Sequence, residues 1–116
     1  MNYKGTKPES WFEALKNICD ILSQSKIKYF LDQGTLLGAV RDNDFISWDD
    51  DIDIGIVIEN KSNEKKFQNF FNTLKNRKIS FKYTGGHMFL NYKGVPVGIS
   101  VYQKKEEFYE NFFLKV

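Results

Sequence analysis

Apolar residues recur along this chain with two different periods, which together predict the order of its helices and strands. Four segments carry the helical period of three to four residues: 8–24, 36–41, 63–74 and 106–116. Five segments alternate between apolar and polar residues as half-buried strands do: 27–32, 51–58, 79–83, 87–93 and 97–103. This order predicts an α/β (α+β) fold, a small mixed β-sheet with helices packed mainly on one face.

Length and composition narrow the class of protein. The 116 residues suit a single domain over 1–116, and a hydrophobic content of 41% argues against disorder. A net charge of +2 with scattered lysines gives no clear nucleic-acid signal. The N-terminus lacks the apolar segment of a signal peptide, and no run reaches the ~20 apolar residues of a membrane span. We therefore expect a soluble, cytoplasmic protein.

A run of aspartates at the head of the second predicted strand is the strongest chemical signal. Asp49, Asp51 and Asp53 are spaced two residues apart, so on a strand they share one face while Ile52 and Ile54 point to the other. Like charges so close together repel each other and raise each other's pKa unless a cation lies among them. This arrangement predicts a divalent metal site, Mg²⁺ or Mn²⁺, of the kind used in phosphoryl and nucleotidyl transfer.

Two other interpretations of the aspartate run fit less well. A solvated loop is the usual setting of an acidic cluster, but this cluster lies between Trp48 and an isoleucine-rich strand. A calcium-binding EF-hand loop shares the spacing of the first three ligands, but it needs glycine at its sixth position and glutamate at its twelfth. Ile54 and Asn60 stand there, which excludes the EF-hand.

Gly34 and Thr35 form the second part of the signal. They lie between a predicted strand and a short helix, where a glycine lets the backbone approach a phosphate and exposed amides favour an anion. A Gly-Thr turn followed by a strand that carries Asp51-x-Asp53 is the signature of the nucleotidyltransferase fold. The combination is much more specific than either part alone.

Two longer segments narrow the resemblance: YFLDQGTLLGAVR over 29–41, and DFISWDDDIDI over 44–54. They resemble the LicD family, which includes the fukutin-related proteins. The resemblance implies a nucleotidyltransferase-like domain, here in a short version. It also implies a phosphotransferase that moves a phosphocholine or polyol-phosphate group from a CDP-activated donor of the CDP-choline type to a glycan or sugar acceptor.

The resemblance also assigns roles to residues. Asp51 and Asp53 would be metal ligands and catalytic residues, and Asp49 a further catalytic acid that orients or deprotonates the acceptor. The substrate-binding residues would be Gly34 and Thr35 on the donor phosphate, Arg41 on the diphosphate, and Trp48.

Arg41 and Trp48 each have a second interpretation. Arg41 could instead pair with Asp42 or Asp44. Trp48 could pack in the core, which is the more frequent role of a tryptophan, or it could stack on a base. His87 follows a Gly-Gly turn and is expected to be a strand-end residue rather than a catalytic base.

Two alternative functions stay open, one because nucleotidyltransferases share the Asp-x-Asp core, the other because the chain is short and departs from the family pattern at one position. The family carries a third aspartate on a later strand, and the best local match, 99–102, puts Ser100 at its place. A neutral serine binds a cation poorly. The alternatives are a nucleotidyltransferase that moves NMP from an NTP, and a degenerate domain that binds a nucleotide or a partner without catalysis.

Overall fold

The computed structural model describes residues 7–59 and 63–103, and within them the elements follow nearly the predicted order. The elements are α1 (Glu9–Gln24), β1 (Tyr29–Leu31), α2 (Gln33–Asp42), β2 (Ile52–Ile58), α3 (Asn63–Asn76), β3 (Ser80–Thr84), β4 (His87–Tyr92) and β5 (Val95–Gln103). The helix predicted over 106–116 lies outside the described residues. Among the helices of this part of the chain, none is both long and apolar enough to cross a lipid bilayer.

The start of α2 differs most from the prediction. The helix begins at Gln33 rather than at 36, because the carboxylate of Asp32 accepts a hydrogen bond from the Gln33 amide, 2.9 Å away, as an N-cap. Gly34 and Thr35 therefore belong to the first turn of α2 and not to a loop before it.

The five strands form one sheet in the order β1-β2-β5-β4-β3. The central pair, β2 and β5, is parallel, and the other three pairs are antiparallel. This confirms the predicted mixed sheet. Pro96 fits in the central strand because pairing with β2 begins only at Val97, so its missing amide costs no bond on that side.

One face of the sheet is the hydrophobic core. Ile52, Ile54 and Ile56 of β2 are fully buried, and α1 and α3 pack their apolar stripes on this face in a single cluster. Alternate residues of β4 and β5 complete it: Met88, Leu90, Tyr92, Val95, Val97 and Ile99. The expectation that helices cover mainly one face is confirmed.

The residues between these core positions form the opposite side, here called the open face. Its central row crosses four strands, from Asp53 through Gly98 and Phe89 to Lys82, each directly beside the next. Asp53 and Gly98 are half-buried, while Phe89 and Lys82 are exposed. The candidate site lies on this face.

Candidate active site

Asp51 and Asp53 meet over a glycine of the neighbouring strand. Asp53 is paired with Gly98 in the β2–β5 register. A Cβ atom added at Gly98 would lie 3.5 Å from Asp51 Oδ2 and 3.6 Å from Asp53 Oδ1. The two carboxylates thus approach the same point above Gly98, which confirms the shared face for Asp51 and Asp53 but not for Asp49, which precedes β2.

Burial and mutual repulsion raise the pKa values of both carboxyl groups. For Asp53, desolvation is the largest cause and the charges of Asp51, Asp49 and Asp32 add to it, which raises the pKa to about 6. The pKa of Asp51 is raised as well, first by desolvation and then by Asp49 and Asp50. Two carboxylates that are costly to ionise side by side favour a cation between them.

Asp49 lies against the first turn of α2. A Cβ atom at Gly34 would come within 2.5 Å of Asp49 Oδ2, so the glycine leaves room for this carboxylate. Asp49 Oδ2 is buried and has no hydrogen-bond partner in the part of the chain that the structure describes. The Lys7 ammonium donates to the backbone carbonyl of Asp49 and lies over the Trp11 ring. The carboxylate thus occupies the place beside Gly34 that was predicted for a donor phosphate.

Thr35 is hydrogen-bonded to β2 and does not line an open phosphate site. Its side chain is buried, and Oγ1 accepts a hydrogen bond from the Asp53 amide at 2.7 Å. This bond joins the first turn of α2 to β2 at the residue that carries the carboxylate. Thr35 therefore positions Asp53, a role that the local sequence does not indicate.

Asp32 and Tyr102 belong to the site but were not among its predicted residues. The Tyr102 hydroxyl donates to Asp32 Oδ2 at 2.7 Å, and this bond is the main reason why the pKa of Tyr102 is raised to about 12. Asp32 also caps α2 and adds its charge to Asp53. An aspartate just before a helix is a readable capping signal, but its contact with a residue 70 positions later is not.

Arg41 lies away from the carboxylates, at the other end of α2. Seven residues of helix separate it from Gly34 by about 10 Å along the axis. Its guanidinium makes two hydrogen bonds to Asp42, at 3.0 and 2.9 Å, as one of the two interpretations had it. The structure therefore does not bring Arg41 to Gly34 and Thr35.

Trp48 is 73% exposed, so the expectation that it plugs the core is wrong. Its ring lies 6.0 Å from the Arg41 guanidinium carbon. The tryptophan is placed outside because β2 begins only at Ile52, and the turn before it directs Ile46 inward instead. The exposed ring leaves a stacking role open.

The register does not place Ser100, the residue expected at the family's third acidic position, directly beside Asp53. The residue beside Asp53 is Gly98, while Ser100 stands beside Gly55 on one side and His87 on the other. Ser100 Oγ lies 3.4 Å from His87 Nδ1, on the side toward β4. The closest place for a third carboxylate is therefore occupied by a residue without a side chain.

Metal-binding capacity rests on two side chains. Among residues 7–59 and 63–103, no three or more His, Cys, Asp or Glu side chains converge so that they could hold a metal ion. Asp51 and Asp53 do approach a common point, and carboxylate oxygens are the ligands that Mg²⁺ prefers. Because Mg²⁺ is often held by one or two carboxylates together with substrate phosphates and water, the pair fits such an ion.

Comparisons with known proteins identify the family of this chain. A family model described as the LicD/FKTN/FKRP nucleotidyltransferase domain matches residues 26–114. An uncharacterized protein of Rickettsia prowazekii is 44% identical over 57 residues, which cover 49% of this chain and 21% of that protein. Human ribitol 5-phosphate transferase FKRP is 39% identical over 51 residues, 44% of this chain and 10% of FKRP.

The lipopolysaccharide cholinephosphotransferase LicD of Haemophilus influenzae is 62% identical over 29 residues, 25% of this chain and 11% of that protein. Each of these matches spans a minor part of the relative's own length. The family model, by contrast, covers most of this chain and includes Asp32, Gly34 and the aspartate run. The chain belongs to the LicD/FKTN/FKRP nucleotidyltransferase-domain family.

Proposed function

We propose that this chain is a metal-dependent phosphotransferase, which moves a phosphocholine or similar substituted phosphate from a CDP-linked donor to a glycan hydroxyl. The observation that carries the proposal is the pair of carboxylates, Asp51 and Asp53, that face a common point above Gly98 beside the start of α2. The relatives named for ribitol 5-phosphate and choline phosphate transfer support the reaction class.

Asp51 and Asp53 would hold Mg²⁺ or Mn²⁺. Their donor set is all oxygen, and both carboxylates are destabilised as anions where they stand, so a hard divalent cation suits them. A cation held by these two residues would supply positive charge to the donor diphosphate and to the leaving CMP. Thr35 keeps Asp53 in place through its hydrogen bond to the Asp53 amide.

Asp49 has a different role from the other two aspartates. Its buried Oδ2 lacks a hydrogen-bond partner in the described residues, and a buried acceptor in this state is costly until it is satisfied. We assign to the Asp49 carboxylate, beside the first turn of α2, the orientation of a ligand hydroxyl. In the transfer, the acceptor oxygen bonds to phosphorus, the bond from phosphorus to the CMP oxygen breaks, and the acceptor proton passes to a site carboxylate.

Release of CMP tests the proposal. The 116-residue chain is incubated with Mg²⁺, CDP-choline or CDP-linked ribitol as the donor and a mixture of methyl glycosides as the acceptor, and CMP is measured with and without EDTA. We expect CMP release that EDTA abolishes and that Asp51→Asn and Asp53→Asn each reduce by about 10²–10³-fold. Asp50→Asn is the matched control, because Asp50 is exposed and directly precedes Asp51, and it should retain most of the activity.

The same assay separates the alternatives. Pyrophosphate release from NTPs without CMP release from CDP donors would favour a nucleotidyltransferase that moves NMP. The bare position at Gly98 is the observation in favour of a degenerate domain, since no carboxylate stands beside Asp53 on β5. Absence of both products, with nucleotide binding retained, would establish that alternative.

A further inference from the structure

Gly98 is a glycine that neither the backbone nor the packing requires. It lies inside the central strand β5 and is not among the residues with positive φ. A Cβ atom there would make only ordinary van der Waals contacts, the nearest at 3.5 Å. Glycine inside a strand costs about 0.5–1 kcal/mol relative to alanine, and it often marks a place where a ligand approaches the backbone closely.

The neighbouring glycine shows the contrast. Gly55 lies on the same face of β2, but a Cβ atom there would come within 2.3 Å of Phe30 Cζ, so packing accounts for it. The Phe30 ring covers Gly55 and lies 5.5 Å from the Tyr102 ring. At Gly98, in contrast, the nearest side chains are the Asp51 and Asp53 carboxylates, and they leave room for a Cβ atom.

An aromatic surface lies on the other side of Gly98. Phe89, directly beside it on β4, is 52% exposed. The His87 ring is roughly parallel to it, at 21° and a centroid distance of 6.2 Å. Polar groups surround the rings: Ser100 beside His87, and Asn91 and Lys82 beside or next to Phe89. We call Gly98, Phe89, His87, Ser100 and Asn91 the sheet strip.

The distance between the sheet strip and the carboxylates indicates which part of a substrate could bind on the strip. Successive strands are about 4.8 Å apart, so the backbone at Phe89 lies about 10 Å from that at Asp53, with β5 at Gly98 between them. A sugar ring is about as wide as one such spacing. Its C–H groups suit the negative face of an aromatic ring, while its hydroxyls suit the amide and hydroxyl groups around it.

The donor nucleobase fits the sheet strip less well. It is separated from the reacting phosphorus by a further phosphate and a ribose, whereas the strip begins in contact with the carboxylates themselves. The acceptor hydroxyl, in contrast, must adjoin the phosphorus that it attacks. The exposed Trp48 ring offers a separate stacking surface on the side of α2.

We infer that the sheet strip is the acceptor subsite, in which a pyranose ring stacks on Phe89 and directs one hydroxyl past Gly98 toward the Asp51 and Asp53 carboxylates. The inference rests on the proposed function for the identity of the acceptor, but it concerns binding alone.

Amide NMR of the metal-free chain, titrated with methyl glucoside, methyl galactoside and methyl N-acetylglucosaminide, tests this inference. We expect saturable shifts at the amides of Phe89, Gly98 and Ser100 with at least one glycoside, at a Kd in the millimolar range. Phe89→Ala should weaken binding at least about five-fold, Phe89→Tyr should preserve it, and Gly98→Leu should block it.

Tyr83→Ala is the matched control. Tyr83 is 51% exposed on the adjacent strand but stands on the helix-covered face, so its loss should leave the glycoside shifts unchanged. The amide spectrum of each variant reports whether it has folded. Absence of glycoside shifts, shifts confined to other surfaces, or wild-type binding by folded Phe89→Ala would each overturn the inference.

A parallel titration with CMP distinguishes the occupants. Shifts in the sheet strip with CMP but not with glycosides would assign the strip to the nucleobase and overturn the inference. The titrations use neither donor nor metal, so their outcome is independent of turnover. Glycoside binding without CMP release would reject the proposed function and keep the subsite, and CMP release without glycoside binding would do the reverse.

Discussion

The two faces of the β-sheet are made from alternate residues of the same strands, yet they contribute oppositely to the stability of the fold. On the helix-covered face, Ile52, Ile54 and Ile56 are fully buried and their removal from water stabilises the fold. On the open face, Asp51 and Asp53 hold charges that burial and repulsion make costly. The comparison teaches that stability and chemistry are separated by a single residue step along β2.

The largest decrease in the free energy of unfolding is expected from a substitution on the helix-covered face. Ile54→Ala should lower the free energy of unfolding by about 2–5 kcal/mol, because it leaves a cavity in a fully buried cluster. Urea denaturation measures it. Val57→Ala, on the other face of the same strand and half-buried, is the control and should cost about 1 kcal/mol or less. Equal losses in the two variants would contradict the separation of the faces.

Loss of the hydrogen bond that joins α2 to β2 should give the next largest decrease in the free energy of unfolding. Thr35→Val removes the hydroxyl that accepts from the Asp53 amide and leaves that buried donor unpaired, a loss of about 1–3 kcal/mol. Thr35→Ser keeps the hydroxyl and should lose less. Urea denaturation and hydrogen exchange at the Asp53 amide check this. Slow exchange at that amide in Thr35→Val would show that the bond does not hold the strand.

The free energy of unfolding of Asp53→Asn, measured in EDTA at two pH values, should show how much the charge of Asp53 destabilises the fold. The folded pKa of Asp53, about 6, is raised above the ordinary value of 3.8. Its contribution to stability is therefore fully present below pH 3.8 and lost as the pH rises through about 6. Relative to wild type, Asp53→Asn should gain about 1 kcal/mol at neutral pH, because solvent screening limits the effect, and little in acid. Urea denaturation at both pH values measures the difference; a gain that does not change with pH would contradict it.

The smallest effect is expected at Gly98. Gly98→Ala should raise the free energy of unfolding by about 0.5–1 kcal/mol, because alanine restricts the unfolded chain and fits without a clash. Gly55→Ala, on the same face, should instead lower it, since the new methyl group must displace the Phe30 ring. Urea denaturation of the two variants tests this, and a loss of stability in Gly98→Ala would show that packing requires the glycine.

The helix-covered face was predictable from the sequence because burial follows local period. Alternating isoleucines gave β2, and the same alternation placed Asp51 and Asp53 together on the other face. The register of β5 against β2 was not predictable in this way. It joins segments about 45 residues apart, and a shift of two residues, which keeps the same face, exchanges Gly98 for Ser100 beside Asp53.

Contacts between side chains that are far apart in the sequence were the other feature that could not be predicted. Tyr102 and Asp32 are brought together by the fold alone, and neither carries a local signal for the other. The exposure of Trp48 was missed because tryptophan is usually well buried, whereas here a turn precedes the strand. Arg41 pairs with Asp42, its immediate neighbour, as one of the two open interpretations allowed.

The place of β5 in the sheet sets when the site can first exist during synthesis. It is the last described strand to leave the ribosome, yet it lies in the middle and joins the β1–β2 pair to the β3–β4 hairpin. Until it is inserted, β2 and β4 each expose an unpaired edge that invites aggregation. A nascent chain that ends before Val95 would carry every aspartate of the site but no strand to face them, so the acidic centre and the central pairing of the sheet form in the same late event.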